Sequence, residues 1–287
     1  MPIPKRFVWI AAYPKSGSTW LRLFVAHMTA PDAAFGASLR DAVLRVSVDF
    51  GRAGFDQALG IKLADLTSAE ARVLKPRRLE AEARHLTAPR LCRTHDAWAV
   101  TPLGEPLLPE NVTVGAVHLV RDPRDVAVSY AEFFDCTLDQ AIDRMAEPGY
   151  LITFDPNTQE GPRIPLTLLD WSSHCRSWVS ATGFPRLLLR YEDLVADPYG
   201  QFARLARFAG LATDAAALER AIEATRFDRL KAREAQEAFV FRGDGRSFFR
   251  SGRAGGWREA LTTEQARRIE CNHEEMMGQL GYQRHQP

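Results

Sequence analysis

Apolar residues open the chain as an unbroken run, Phe7-Val-Trp-Ile-Ala-Ala12, which does not alternate between faces and so predicts a strand buried on both sides. A polar turn follows, Tyr13-Pro-Lys-Ser-Gly-Ser18, and from Thr19 to Thr29 the apolar positions change to helical spacing. Val112 to Val120 is a second β-rich run. It leads into Arg121-Asp-Pro-Arg-Asp125, where Asp122 caps a helix, Pro123 takes its first position, and the helix extends to about Phe134. A third run, Arg186-Leu-Leu-Leu-Arg190, precedes Tyr191-Glu-Asp193, and Asp197-Pro198 opens another helix with the same kind of cap. Strand, loop and helix in repetition predict an α/β fold around a mainly parallel sheet with covered faces. Residues 31–90 read as helical and residues 136–170 as rich in Pro, Gly and Asp, so both are expected to form helical or loop lids over a site.

No internal repeat, low-complexity tract or Gly/Ser linker divides the sequence, and residues 1–287 are expected to form a single domain. Apolar residues make up 46% and charged residues 25%, enough to build a core and inconsistent with disorder. With 37 Lys and Arg against 36 Asp and Glu, the net charge of +1 gives no general field for nucleic acid or an anionic membrane. Binding of an acidic ligand must then come from a local cluster. Cys92, Cys136, Cys175 and Cys271 are far apart, without a CxxC pair or a His/Cys cluster at ligand spacing, so free, mostly buried thiols and no metal site are expected. The run at residues 7–12 is too short for a signal-peptide core, and no run approaches the length of a membrane span, which predicts a reduced, cytoplasmic setting.

Ligands of open α/β sheets bind beyond the carboxyl ends of the strands, where residues 13–19 lie. Gly17 lets the backbone turn closely around an oxyanion, the amides opening the helix point outward, Ser16, Ser18 and Thr19 offer hydroxyls, and Lys15 adds a mobile charge. A Walker A loop would need glycine at position 11 or 12 and a lysine after Gly17. The sequence has neither, which weakens the case for ATP chemistry.

Tyr13-Pro-Lys-Ser-Gly-Ser-Thr-Trp20 resembles the 5′-phosphosulfate loop of the cytosolic sulfotransferases, Tyr-Pro-Lys-Ser-Gly-Thr-Thr-Trp, with one hydroxyl-preserving change. Leu119-Val-Arg-Asp-Pro-Arg-Asp-Val-Ala-Val-Ser-Tyr130 is similar to the family's 3′-phosphate segment, and places Arg121 and Ser129 at its arginine and serine. Phe248-Phe-Arg-Ser-Gly-Arg-Ala-Gly-Gly-Trp-Arg258 resembles the family's Arg-Lys-Gly segment followed by Gly-x-x-Gly-x-x-Lys. Ser251 and Arg258 stand where the family has lysines. Residues 242–258 hold five arginines and one acid, Asp244, a concentration of positive charge in a nearly neutral chain. The resemblance implies a P-loop-like three-layer α/β/α fold and a nucleotide held by Lys15, Ser16, Gly17, Ser18, Thr19, Trp20, Arg121, Ser129, Tyr191, Thr225, Phe227, Phe248, Phe249, Arg250, Ser251 and Gly252. Trp20 and Tyr191 are assigned to adenine, and Thr225-Arg-Phe227 matches the family's Thr-Ser-Phe stretch.

The implied reaction moves a sulfuryl group from 3′-phosphoadenosine 5′-phosphosulfate (PAPS) to a hydroxyl or amine, leaving 3′-phosphoadenosine 5′-phosphate (PAP), with no metal. Arg93-Thr-His95 resembles the family's Lys-Thr-His. That makes His95 the general base, Lys15 the cation at the leaving oxygen, Arg93 a second fixed charge, and Ser129 a restraint on Lys15. Phe133 and Trp98, with His95, are expected to line an apolar acceptor site for a small molecule. The family's dimer motif would fall on Arg258, Thr262, Thr263 and Arg267, where its final acid has become a base, leaving monomer and homodimer both open. The competing readings are a P-loop kinase using ATP and a catalytically inactive nucleotide-binding module.

Overall fold

The computed structural model describes residues 3–30, 38–46, 52–154, 163–237 and 247–284. In chain order the elements are β1 Phe7–Ala12, α1 Ser18–Thr29, α2 Leu39–Leu44, α3 Arg52–Leu59, α4 Ser68–His85, β2 Arg90–Thr94, β3 Thr113–Val120, α5 Pro123–Phe133, α6 Leu138–Ala146, β4 Leu151–Ile152, β5 Leu166–Thr167, α7 Trp171–Ser180, β6 Arg186–Arg190, α8 Tyr191–Ala196, α9 Pro198–Phe208, α10 Ala215–Ala224, α11 Phe227–Gln236, α12 Trp257–Ala260 and α13 Thr263–Gln279. A central parallel sheet runs in the order β2-β1-β3-β6, and β4 with β5 forms a separate antiparallel pair. β1 and β2 pair in parallel from Phe7↔Arg90 to Ala11↔Thr94. Every residue of β1 is buried, as its unbroken apolar run requires.

The chain packs as two compact units, each assembled from separate stretches of sequence. Met1–Tyr13, Val48–His118 and Asp143–Arg186 form one. Its core gathers Phe7, Trp9, Leu79, Cys92, Leu108, Val112 and Trp178, with Trp9 Nε1 donating to Thr113 Oγ1 at 3.0 Å so that the large indole is buried without an orphaned donor. A satellite core of Phe55, Leu63, Ala71 and Ile164 lies under α3 and α4. Pro14–Ser47, Leu119–Ile142 and Leu187–Pro287 form the other unit. There Phe24 stacks on Phe202 at 4.1 Å, and Val128, Trp257 and Ala266 make a second cluster.

Capping agrees with the sequence reading. Asp122 accepts the Arg124 amide with Pro123 at the helix start, and Asp197 accepts the Gly200 amide ahead of α9. The structure adds a reciprocal capping box of Thr262 and Gln265 on α13. Residues 31–90 carry α2, α3 and α4, with 31–37 and 47–51 outside the described residues; 136–170 carry α6 and the β4/β5 pair, with 155–162 outside them. The four thiols are free, yet only Cys92 and Cys175 are buried; Cys136 is half-buried and Cys271, on α13, is exposed. No helix among the described residues is long and apolar enough to cross a membrane.

Candidate active site

The residues singled out in the sequence fall into two clusters. The larger lies in the second unit and starts at the turn between β1 and α1. Lys15 and Gly17 both have positive φ, 72° and 98°, so the loop curls back on itself at a residue with a side chain. Gly17 cannot be replaced freely. A Cβ there would lie 2.6 Å from Tyr191 Cδ2, because the Tyr191 ring packs against the bare backbone. α1 has no side-chain cap and no acid in its first turn, which leaves its opening amides to an external acceptor. Ser16 is 1% exposed, and its hydroxyl has no hydrogen-bond partner among the described residues.

Arg121, at the end of β3, ties this loop to the glycine-rich segment. Its Nη1 donates to the Lys15 carbonyl and its Nη2 to the Arg253 carbonyl, each at 3.2 Å, while the guanidinium lies 4.3 Å from the Tyr191 ring centroid. The remaining Arg121 Nε is buried without a partner among the described residues. An unpartnered hydroxyl, an unpartnered guanidinium N–H and a backbone turn that excludes a Cβ together fit an anionic group. Asp125 accepts the amides of Gly255 at 2.7 Å and Trp257 at 2.9 Å, fixing the same segment from α5. Glu234, on α11, accepts from the Ser247 hydroxyl and from the Phe248 and Phe249 amides. Phe227 lies against Gly252, where a Cβ would come within 2.2 Å of its ring. The sequence reading missed Asp125 and Glu234 as supports; Glu234 has no local motif, and its distance in sequence from residue 248 hides the contact.

The Lys15 ammonium lies 3.9 Å from the Phe133 ring centroid and 4.4 Å from that of Phe248. Arg250 pairs with Glu132 at 2.7 Å. Trp20 meets Tyr191 and Phe202 edge-on, at 6.1 and 5.2 Å between centroids. Thr225 is fully buried and donates its hydroxyl to the Ala221 carbonyl, which leaves its oxygen lone pairs as the remaining polar function. Ser18 and Phe249 are buried, and Thr19, Ser129 and Ser251 are half-buried. Residues 242–246, which hold two of the five arginines, lie outside the described residues.

The smaller cluster belongs to the first unit and follows β2. His95 Nδ1 lies 2.6 Å from the Ala12 carbonyl oxygen. A carbonyl only accepts, so Nδ1 carries a proton, and in the neutral ring Nε2 is then the basic nitrogen. Arg93 is half-buried; burial, helped by the nearby Arg163 charge, pulls its pKa down to about 10, so it stays charged at neutral pH. Trp98 packs against Trp178 and Phe184, at 5.3 and 4.8 Å between centroids, and its amide donates to Ser177 Oγ. Behind His95, the donors of His118, His174 and Cys175 lie within 4.8 Å of one another, fully enclosed, a grouping invisible in the sequence. A structural zinc takes four ligands, and no fourth donor among the described residues joins them.

The family model for the sulfotransferase domain matches residues 5–281. The chain belongs to that family. Sulfotransferase 1A1 of Bos taurus is 25% identical over 280 residues, 93% of this chain and 82% of its own length, and that of Canis lupus familiaris is 26% identical over 286 residues, 95% and 83%. Among solved structures, retinol dehydratase in a complex with retinol and PAP superposes with a TM-score of 0.63 at 23% identity, covering 96% of this chain and 82% of its own. Mouse sulfotransferase SULT7A1 complexed with PAP gives 0.59 at 17% identity, covering 95% and 84%. These likenesses establish the α/β sulfotransferase fold. Within it, the segments read as the 5′-phosphosulfate loop, the 3′-phosphate segment and the glycine-rich segment are joined by the single side chain of Arg121.

Proposed function

We propose that this sulfotransferase uses PAPS and sulfates a hydroxyl or amine of a small molecule, acting as one catalytic domain because neither packing unit is a continuous stretch of chain. The observation that carries the reading is Arg121, whose bonds to the Lys15 and Arg253 carbonyls gather a loop, a helix start and an arginine-bearing segment around unpartnered polar atoms. PAP in the complexes of retinol dehydratase and mouse SULT7A1 supports the same nucleotide here.

PAPS supplies a sulfuryl group already joined to a phosphate leaving group. Lys15 and the α1 amides balance the charge that the 5′-phosphate oxygen takes up as its bond to sulfur breaks. His95 Nε2 takes the acceptor's proton as the new bond to sulfur forms, and the Nδ1 bond to Ala12 sets the tautomer of the neutral ring that leaves Nε2 as the basic nitrogen. Arg93 contributes charge but no proton. Ser16, Ser18, Thr19, Arg121, Ser129, Arg250, Ser251 and Gly252 are assigned to phosphate groups, and Trp20, Tyr191, Thr225, Phe227, Phe248 and Phe249 to the nucleoside. Phe133 is assigned to the acceptor. Trp98, half-buried against Trp178 and Phe184, is assigned to the acceptor side as well. No chemical step requires a metal.

Thermal unfolding with PAP, beside ADP and ATP with magnesium, tests the reading. Saturation near 100 Kd stabilises by about 2.7 kcal/mol, and a metal-independent rise in midpoint with PAP alone is expected. A rise with ATP and magnesium instead, or with no nucleotide, overturns it.

A further inference from the structure

Two fully buried charges lie beside the proposed base. Lys75, on α4, places Nζ 2.5 Å from Asp96 Oδ2, and both side chains are 0% exposed. Removing such a pair from water costs several kcal/mol per ion, so an apolar pair would hold the packing at least as well. What the carboxylate adds is direction. Asp96 Oδ2 also accepts from the Thr94 hydroxyl at 3.0 Å, and Oδ1 accepts from the Thr167 amide at 2.9 Å. The Asp96 amide donates to Thr94 Oγ1 at 3.1 Å, and its carbonyl accepts from Trp178 Nε1 at 3.0 Å.

The neighbours of Asp96 are tied as firmly. The Ala97 amide donates to the Thr167 carbonyl at 2.7 Å, and His174 Nε2 lies 3.3 Å from the carbonyl of His95 itself. The backbone on both sides of His95 is thereby fixed to α4, β5 and α7, leaving the imidazole only its two side-chain torsions. The Nδ1 contact with Ala12 O then sets those torsions. A misplacement on the order of 1 Å can cost about 10²-fold in turnover, so this clamp has a chemical use beyond stability.

We propose that Asp96 is a positioning residue for His95, with Lys75 as its buried counter-charge. Its significance for turnover rests on the reading of His95 as the base; its effect on the imidazole does not. The test uses the full chain labelled with 15N-histidine, whose long-range proton–nitrogen spectra report the tautomer of each ring, with His95→Gln identifying the His95 signals. Lys75→Met with Asp96→Asn keeps an acceptor oxygen for the Thr167 amide without leaving a lone buried charge. Lys75→Met with Asp96→Ala removes the acceptor altogether.

The parent and the asparagine variant are expected to hold His95 as the single Nδ1–H tautomer. In the alanine variant the tautomers mix, and turnover with PAPS and a phenol falls about 10–100-fold, while the PAP-induced rise in melting midpoint is unchanged. An alanine variant that melts cooperatively, keeps the parental tautomer and loses no turnover overturns the proposal. Should that variant not fold, Thr94→Val deletes both bonds between the Thr94 hydroxyl and Asp96 at nearly constant volume, and an unmoved His95 signal there overturns it equally. Full turnover in His95→Gln refutes the base assignment, and the tautomer spectra then decide the positioning role by themselves.

Discussion

The ammonium of Lys15 lies 3.9 Å from the centre of the Phe133 ring, so the charge that the proposed chemistry needs is held over an aromatic face. Phe248 stands on it as well, at 4.4 Å. Each such contact is worth about 0.5–2 kcal/mol and helps to hold the lysine in place. Lys15→Met keeps a stem of similar length between the rings and removes only the charge. PAP binding is expected to weaken by about 1.5–3 kcal/mol, as for loss of a charge-assisted bond, and turnover to fall further. Calorimetric titration with PAP and steady-state rates check this; a variant with parental affinity for PAP would remove Lys15 from the nucleotide site.

Gly17 faces two separate obstacles to substitution. Its φ of 98° disfavours any side chain by about 1–2 kcal/mol, and a Cβ would press on the Tyr191 ring at 2.6 Å. Gly17→Ala should therefore lose about 2–4 kcal/mol of stability, with the PAP-induced rise in midpoint abolished. Adding Tyr191→Ala removes the collision but leaves the backbone cost, so the double variant should lose less than the sum of the two single changes. Strict additivity would mean that the ring and the loop are not in contact.

Arg250, assigned to the 3′-phosphate, is engaged by Glu132 at 2.7 Å. Both side chains are nearly half exposed, 45% and 49%, so the pair contributes only about 0–1 kcal/mol. Glu132→Gln should release the arginine and tighten PAP up to about fivefold, an effect that shrinks with added salt. Adenosine 5′-phosphate, which lacks the 3′-phosphate, serves as the control. An equal gain with both nucleotides would disconnect Arg250 from the 3′ end.

Sequence and structure agree most closely where a local pattern determines the outcome. The short apolar run of β1, ended by the Tyr13-Pro14 turn, is buried as the strand it predicts, and Asp122-Pro123 and Asp197-Pro198 specify their helix starts by short-range bonding. The turn from Tyr13 to Trp20 stood out because its polar residues are consecutive. What escaped is held together across the chain: Asp125 on the Gly255 and Trp257 amides, Glu234 under Phe248 and Phe249, and Lys75 with Asp96. Each of these is an acid or base that composition alone would place in solvent. The contacts of Trp98 with Trp178 and Phe184 likewise join residues far apart in sequence.

Acid should destabilise the fold through two enclosed imidazoles. Burial pulls His174 from its ordinary 6.5 down to about 4, against the opposing effect of its bond to the His95 carbonyl, and burial with the nearby His174 holds His118 well below 6.5. Both folded values are depressed, so the unfolded chain binds more protons than the folded one as pH falls below 6.5. Stability is complete above that value and is lost from there down towards pH 4, by about 1.4 kcal/mol per pH unit for each ring. At pH 5 the His174 contribution alone amounts to about 2 kcal/mol. His118→Leu fills the site with an apolar side chain and should remove about 1.4 kcal/mol per pH unit from the slope of unfolding free energy between pH 6 and 5, measured by urea titration at each pH. A slope unchanged by the substitution would mean that His118 is charged in the folded protein.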